Sequence, residues 1–379
     1  MSTAPRRVVL FGTFDAARHP RIEVLAEGLA AAGYTVERCN VPWRASTAER
    51  VAALRRPLLA LRLAVRLLTA WAVLWRRSRH VADPEVVVVG YLGVLDVHLA
   101  RRRWPRAVLV LDHLAPVGGI VADRASGATL RARAAEWFDA RAVAGADVVV
   151  VDTEEHRVRG GEVVVPVGAP ASWFAARTGG AAPSRGPLRV VFFGLYTPLH
   201  GAVTVAEAVR AVATAGVAIE ITMIGTGQDR AAAEARAGAV PGVRWRDWVE
   251  PGELPAVVAD HHLCLGIFGT TPKAARVVPN KVFQGAAAGC AVLTADTSPQ
   301  RRVLGDAAHY VPAGDPAALA AALSAMAADP DLREHARAAA AARADEGFGA
   351  VAVVAPLLAA LETAIGSADA DSGSHHGGP

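Results

Sequence analysis

Lysine is nearly missing from this chain. Of its 40 basic residues two are lysine, Lys273 and Lys281, and the rest are arginine. Both lysines fall within nine positions, and a compact ammonium does not replace a planar guanidinium where geometry matters, so the segment Gly269 to Lys281 draws attention. Cysteine is scarce too. Cys39, Cys264 and Cys290 lie far apart, are odd in number and show no C-x-x-C spacing, which argues against a disulfide framework or a thiolate metal site and points to a reducing compartment. Charge of one sign is lacking as well: the net +4 is small and evenly spread, which argues against a nucleic-acid binder held by counterion release. At the N-terminus, Val8 to Phe11 falls far short of a signal-peptide core or of the ~20 apolar residues of a span, so neither export nor a membrane span is expected and a cytoplasmic location is.

What is present is Ala/Val/Leu-rich. Hydrophobic residues make up 53% and charged residues 20% of 379, enough for real cores in about two domains of ~150 residues each. Val8 to Phe11 leads into Gly12, then a helical pattern from His19 to Ala32, then a strand-like run from Tyr34 to Val41. Further buried-strand candidates stand at Val86 to Val89, Val108 to Leu111 and Val148 to Val151. Strands of continuous apolar type alternating with helix-length stretches imply a parallel sheet covered on both faces.

The same grammar restarts after a stretch dense in Gly, Pro and Ala. Leu188 to Phe193 reads as a strand, Val203 to Ala215 as a helix and Ile219 to Ile224 as a strand, with more strands near Val243, Leu263 and Val292. The expected architecture is α/β: two Rossmann-like, doubly wound parallel-sheet domains facing an interdomain cleft. The expected boundaries are 1–168 for the first domain, 169–187 for a linker and 188–345 for the second domain. A helix at 346–365 is expected to cross back to the first domain, and 366–379 to form a disordered tail. Asp369 and Asp371, and His375 and His376, lie in that tail without rigid flanks and are not taken as metal ligands.

Ligands of open α/β sheets bind beyond the carboxyl ends of the strands. Gly12, Asp112, His113, Gly194 to Gly201, Gly225, Gly227, Trp248, Phe268 to Thr271 and Pro279 to Lys281 all follow expected strands. The run Phe192-Phe193-Gly194-Leu195-Tyr196-Thr197-Pro198-Leu199-His200-Gly201 resembles the donor-phosphate loop of glycosyltransferase family 4, retaining enzymes of the GT-B fold. The run Gly266 to Lys273, with Val278 to Gly289, resembles that family's sugar- and ribose-binding region. The likeness spans Leu188 to about Leu332 and is looser before it.

The resemblance implies transfer of a sugar, with retention, from a nucleoside-diphosphate sugar to a small-molecule, glycan or lipid-linked acceptor. It implies no metal and no cofactor beyond that co-substrate. On the donor side it implies Gly194, Thr197, His200, Gly201, Gly225, Gly227, Trp248, Val249, Phe268, Gly269, Thr270, Thr271, Lys273, Asn280, Lys281 and Gln284. Gly194 and Gly201 would let the backbone approach a diphosphate at a helix N-terminus, although glycines there also serve plain turns. Trp248 would flank the base, with packing the equal alternative.

This chain departs from the family pattern twice. Where relatives usually carry an arginine and a lysine in the loop, it has Leu195 and His200; where they carry two glutamates with seven residues between them, it has Arg276 and Gln284. Lys273, Arg276 and Lys281 are the replacement cations, and His200, if protonated with diphosphate bound, would make activity fall as pH rises.

His113 resembles the family's histidine facing the donor sugar, with Asp112 orienting its loop; a structural strand-end histidine is the plainer reading. On the acceptor side stand Gly12, Thr13, Asp15 as a hydroxyl partner or helix cap, and Arg21 as an anion contact. Residues 50–79 hold eight arginines among leucines, tryptophans and valines. They read as a basic amphipathic helix broken at Pro57, which either covers the first sheet or lies peripherally on an anionic bilayer with Trp71 and Trp75 at headgroup level. The rival functions are a nucleotide-sugar epimerase or hydrolase on the same scaffold, and a non-catalytic nucleotide-sugar-binding partner.

Overall fold

A computed structural model describes residues 6–15, 20–43, 49, 53, 56–90, 93–114, 130–179 and 186–374. The chain divides into two compact units. The first comprises Met1–Asp152, His156–Val165 and Val353–Pro379; the second comprises Thr153–Glu155 and Pro166–Ala352.

In the first unit, β1 (Arg7–Gly12), β2 (Thr35–Asn40), β3 (Val86–Val89), β4 (Val108–Asp112), β5 (Val148–Val151) and β6 (Val163–Val164) form one parallel sheet in the order β2-β1-β3-β4-β5-β6. β3 is four valines, all buried, because helices cover both faces of a central parallel strand. Those helices are α1 (Arg21–Ala31), α2 (Pro57–Ser78), α3 (Asp96–Arg103) and α4 (Leu130–Gly145). α2 begins at Pro57, a fit place for a residue without an N–H; Glu49 and Ala53 before it are helical as well, and Arg56 between is not, so the helical run is interrupted there as expected. The sheet order reverses between β1 and β3, and the turns after these two strands flank the switch point.

The second unit repeats the plan. β7 (Leu188–Phe193), β8 (Ile219–Ile224), β9 (Val243–Arg246), β10 (Leu263–Leu265), β11 (Ala291–Ala295) and β12 (His309–Val311) run parallel in the order β12-β11-β10-β7-β8-β9. Its helices are α5 (Ala171–Gly179), α6 (Ala202–Thr214), α7 (Arg230–Ala237), α8 (Leu254–Ala259), α9 (Asn280–Ala287), α10 (Ser298–Leu304), α11 (Pro316–Ala328) and α12 (Pro330–Gly347). The switch point falls between β7 and β10, so the turns opening at Gly194 and Gly266 meet there. One core packs on the face of β7 that carries Leu188, Val190 and Phe192, and it reaches Leu263, Leu323 and Met326.

Two sequence expectations are corrected. Part of the expected linker is α5, because Trp173 has a place to bury: it is 4% exposed and stacks on Phe193 with ring centroids 5.8 Å apart. The tail expected from 366 onward is helical as far as Ser374, as the end of α13 (Ala350–Ser374). β6 and β12, of two and three residues, escaped the sequence reading because runs so short carry no period.

Among the described residues two helical runs are long and apolar enough to cross a membrane: α2, with mean hydropathy 1.7, and Pro330–Ser367, with 2.0. In α13, Val353, Val354, Leu357 and Leu361 are at most 1% exposed, so its apolar residues are spent on a core.

Candidate functional site

The turn after β7 opens at Gly194, whose φ of +130° suits glycine. The Gly194 amide donates to Ile224 O at 3.1 Å and that of Tyr196 to Thr226 O at 3.0 Å, which ties the turn to the one after β8. Gly225 lies so close to the Gly194 carbonyl that a Cβ would overlap it, and a Cβ on Gly227 would stand 2.5 Å from Tyr196 O. The turn closes at Gly201, in the left-handed region at φ +67°. Gly201 is the N-cap of α6, which receives no side-chain cap, so its first-turn amides are left for another acceptor. A Cβ on Gly201 would stand 2.6 Å from the Phe268 carbonyl carbon, and the Phe268 amide donates to His200 O at 3.2 Å, so the turns after β7 and β10 interlock. Gly269 completes the interlock against the carbonyls of Pro198 and Leu199.

α9 delivers the cation. A Cβ on Gly285 would meet that of Cys264 at 2.5 Å, so this helix rides directly on β10, and the Cys264 thiol donates to Lys281 O at 3.4 Å. One helical turn before Gly285, Lys281 is 3% exposed, and its Nζ has no hydrogen-bond partner among the described residues. The ammonium sits 3.8 Å from the centroid of the Phe192 ring. A Cβ placed on Gly194 would have Lys281 Nζ and His200 Cε1 each at 3.6 Å. Glycine, lysine and histidine therefore converge on one spot at the sheet's switch point.

Burial pushes the Lys281 ammonium down to about 7 from the ordinary 10.5. The His200 pKa is driven well below its ordinary value, first by burial and then by the charges of Lys281 and Lys273. His200 is thus neutral in the ligand-free chain at neutral pH, so the expected protonation would have to come with the bound diphosphate. Its residue surface is partly open, but Nδ1 is buried without a hydrogen-bond partner among the described residues. A buried amine and an unused imidazole nitrogen, with the uncapped helix start next in sequence to the histidine, make a cradle for a compact anion.

The other donor-side residues spread around this cradle. Lys273, half-buried, lies near enough to act on His200 electrostatically. Thr197 accepts from the His200 amide at 2.9 Å through its carbonyl. Thr271 Oγ1 accepts from the Ala274 amide at 3.2 Å, and Thr270 is exposed beside Gly314. Asn280 opens α9 and is half-buried; Gln284, one turn later, is 6% exposed. Trp248 is 61% exposed with Nε1 donating to Glu250 Oε1 at 3.1 Å, whereas Val249 beside it is buried. Leu195 stands exposed where a loop arginine was looked for. Arg276 is exposed, and its carbonyl accepts from Thr153 Oγ1 at 2.8 Å. The sequence reading missed Phe192 as the floor under the ammonium, since an aromatic inside a strand reads as core.

In the first unit the candidates are largely engaged with one another. Arg21, expected to contact an anion, is 2% exposed; its Nε donates to Asp112 Oδ1 at 2.9 Å and Oδ2 at 3.1 Å, and its Nη1 to Val165 O at 2.7 Å. Asp112, at the end of β4, is held in this ion pair, and burial raises its pKa against the lowering effect of Arg21. Its neighbour His113 is 6% exposed, donates its amide to Val150 O at 2.8 Å, and keeps Nε2 3.6 Å from Asp139 Oδ1.

The turn after β1 is likewise occupied. Thr13 donates to Asp96 Oδ2 through its amide at 2.7 Å and its hydroxyl at 2.8 Å, while Trp71 Nε1 donates to Oδ1 at 2.7 Å. Gly12 is required beside them, because a Cβ there would stand 2.9 Å from Asp96 Oδ2. Thr13 is therefore a strut of this turn, and Trp71 points to Asp96 rather than to a bilayer. Asp15 follows, partly exposed; α1 is capped at Pro20 and not by Asp15. No signal in the sequence marks Asp96, which lies 83 residues from Thr13.

Residues 206–359 match the family model described as glycosyl transferase-like. No curated protein sequence matches the chain. Among solved structures it is similar to sucrose-phosphate synthase from Thermosynechococcus elongatus, with TM-score 0.67 and 14% identity, over 96% of this chain and 100% of that one. It is similar as well to trehalose 6-phosphate synthase from Burkholderia multivorans, with TM-score 0.67 and 13% identity over 100% of both. The Anabaena protein HepE, in complex with UDP-glucose, matches with TM-score 0.63 and 12% identity over 95% of this chain and 100% of that one. The fold is GT-B: two Rossmann-like units, each a six-stranded parallel sheet between helices. Its second unit carries most of the glycosyl transferase-like region.

Proposed function

We propose that the chain is a retaining, metal-independent glycosyltransferase of the family 4 type, which takes a nucleoside-diphosphate sugar and passes its glycosyl group to an acceptor hydroxyl. The observation that carries this reading is the buried ammonium of Lys281, without a hydrogen-bond partner among the described residues and set against Gly194 and His200 at the capless start of α6. A buried charge is costly unless an opposite charge meets it, and a diphosphate supplies that charge. As the bond from the sugar's anomeric carbon to the diphosphate breaks, negative charge grows on the departing oxygen, where Lys281 and the α6 amides stabilise it. Lys281 thereby takes over the work of the loop cations replaced by Leu195 and His200. His113, by the resemblance, serves the sugar, and Gln284 offers its amide to ribose hydroxyls. The buried free thiols of Cys39, Cys264 and Cys290 accord with a cytoplasmic protein.

The UDP-glucose bound by HepE makes that compound the first donor to try. Thermal denaturation with millimolar UDP, GDP and UDP-glucose should raise the melting temperature for at least one of them. Product analysis with an acceptor panel should then show a glycoside whose anomeric configuration matches the donor's. No shift with any nucleotide refutes the reading. Free sugar released without acceptor, or an epimerised sugar, would assign the chain to hydrolysis or epimerisation. The missing carboxylates at Arg276 and Gln284 favour one further reading, a non-catalytic nucleotide-sugar-binding partner, for which a melting shift would come with no turnover.

A further inference from the structure

α2 presents its apolar residues to solvent. Leu58 is 82% exposed, Leu61 61%, Val65 53% and Leu68 59%, and their spacing of three and four residues places them in one stripe along the helix. The opposite stripe is used: Leu63, Ala70 and Leu74 are buried, Leu74 in the core under the sheet, and Trp71 is bonded to Asp96. Arginines edge the outward stripe at Arg62 and Arg66 and cluster after it at Arg76, Arg77 and Arg79. Not one Asp or Glu stands between Arg50 and Arg79.

We propose that the outward stripe of α2 docks on the surface of an anionic lipid bilayer, the helix lying in the plane of the interface. Leucine side chains enter the acyl boundary while guanidiniums meet lipid phosphates. Crossing the bilayer is ruled out by the inner stripe's packing and by the arginines at mid-helix, which are costly in hydrocarbon. Pairing with the same stripe of a second copy sets arginine-rich segments against each other with no acid between them, whereas an anionic surface neutralises them. The inference stands apart from the donor cradle, and the acceptor it favours is one carried on a lipid.

The test is sedimentation of the full chain with vesicles of phosphatidylcholine containing roughly one-third phosphatidylglycerol. Binding is expected, with a fall of about tenfold or more in pure phosphatidylcholine and at high salt. The variant Leu61→Glu/Leu68→Glu should lose about tenfold or more of the partitioning, while its melting temperature and its response to UDP-glucose stay those of the wild type, since both side chains face solvent. Failure to sediment with the anionic vesicles, sedimentation indifferent to the double substitution, or equal binding to pure phosphatidylcholine each overturns the proposal. So does a wild-type dimer in analytical ultracentrifugation that the double variant dissolves, because the stripe would then be a self-association face.

Discussion

Lys281 states the conflict between stability and binding most plainly. Its pKa in the folded chain lies near 7 and below the unfolded value, so between about 7 and 10.5 the folded chain holds fewer protons than the unfolded one. Its contribution to stability therefore rises with pH through that window, and its penalty is complete below it. Lys281→Met should raise the melting temperature of the ligand-free protein at pH 6, by roughly 1–3 kcal/mol of recovered desolvation, and abolish the shift produced by nucleotide. In the wild type, nucleotide affinity measured by calorimetry should weaken above pH 7 by up to about tenfold per unit, as the ammonium loses its proton. His200→Gln should leave that slope in place, because His200 is already neutral. Arg21 behaves differently. Its partner Asp112 is buried, and Arg21→Ala would strand a carboxylate, at a cost of roughly 3–5 kcal/mol in denaturant unfolding. The paired change Arg21→Met/Asp112→Leu should cost far less.

At the scale of elements, the cradle depends on two close approaches. α6 starts where it does because Gly201 adopts φ +67° against the Phe268 carbonyl. α9 carries Lys281 to Gly194 because Gly285 lets the helix ride on Cys264. Gly285→Ala adds one methyl where 2.5 Å is free, so α9 must retreat. Overpacking of this kind costs about 1–3 kcal/mol, and the nucleotide-induced melting shift should drop with it, although the substituted residue touches no ligand. The glycine-rich turn after β7 and the lysine segment were legible in the sequence, since each follows a strand and each breaks the composition around it. The tie of Thr13 and Trp71 to Asp96 was not legible, because it joins three elements through one carboxylate with no local pattern to announce it.

At the scale of the molecule, the last helix is a structural member of the first unit. Val353, Val354, Leu357, Leu361 and Ile365 are each at most 6% exposed, and the chain from Val353 onward belongs with residues of the N-terminal half. Burial of such side chains is worth about 1.5–3 kcal/mol each, so together they match the whole ~5–15 kcal/mol of a typical domain. Truncation after Ala352 should leave the first unit open to proteolysis, read by limited digestion and by loss of one calorimetric transition.

The sequence by itself determined the period of the strands, the restart of the pattern at Leu188 and the two turns rich in glycine, because these are local properties of neighbouring residues. Tertiary structure alone decided that the Lys281 ammonium is buried beside Gly194 and His200, that Arg21 spends its charge on Asp112, and that the leucines of α2 face outward. Each of those outcomes turns on which distant backbone lies within a few ångströms, and spacing along the chain carries no record of that distance.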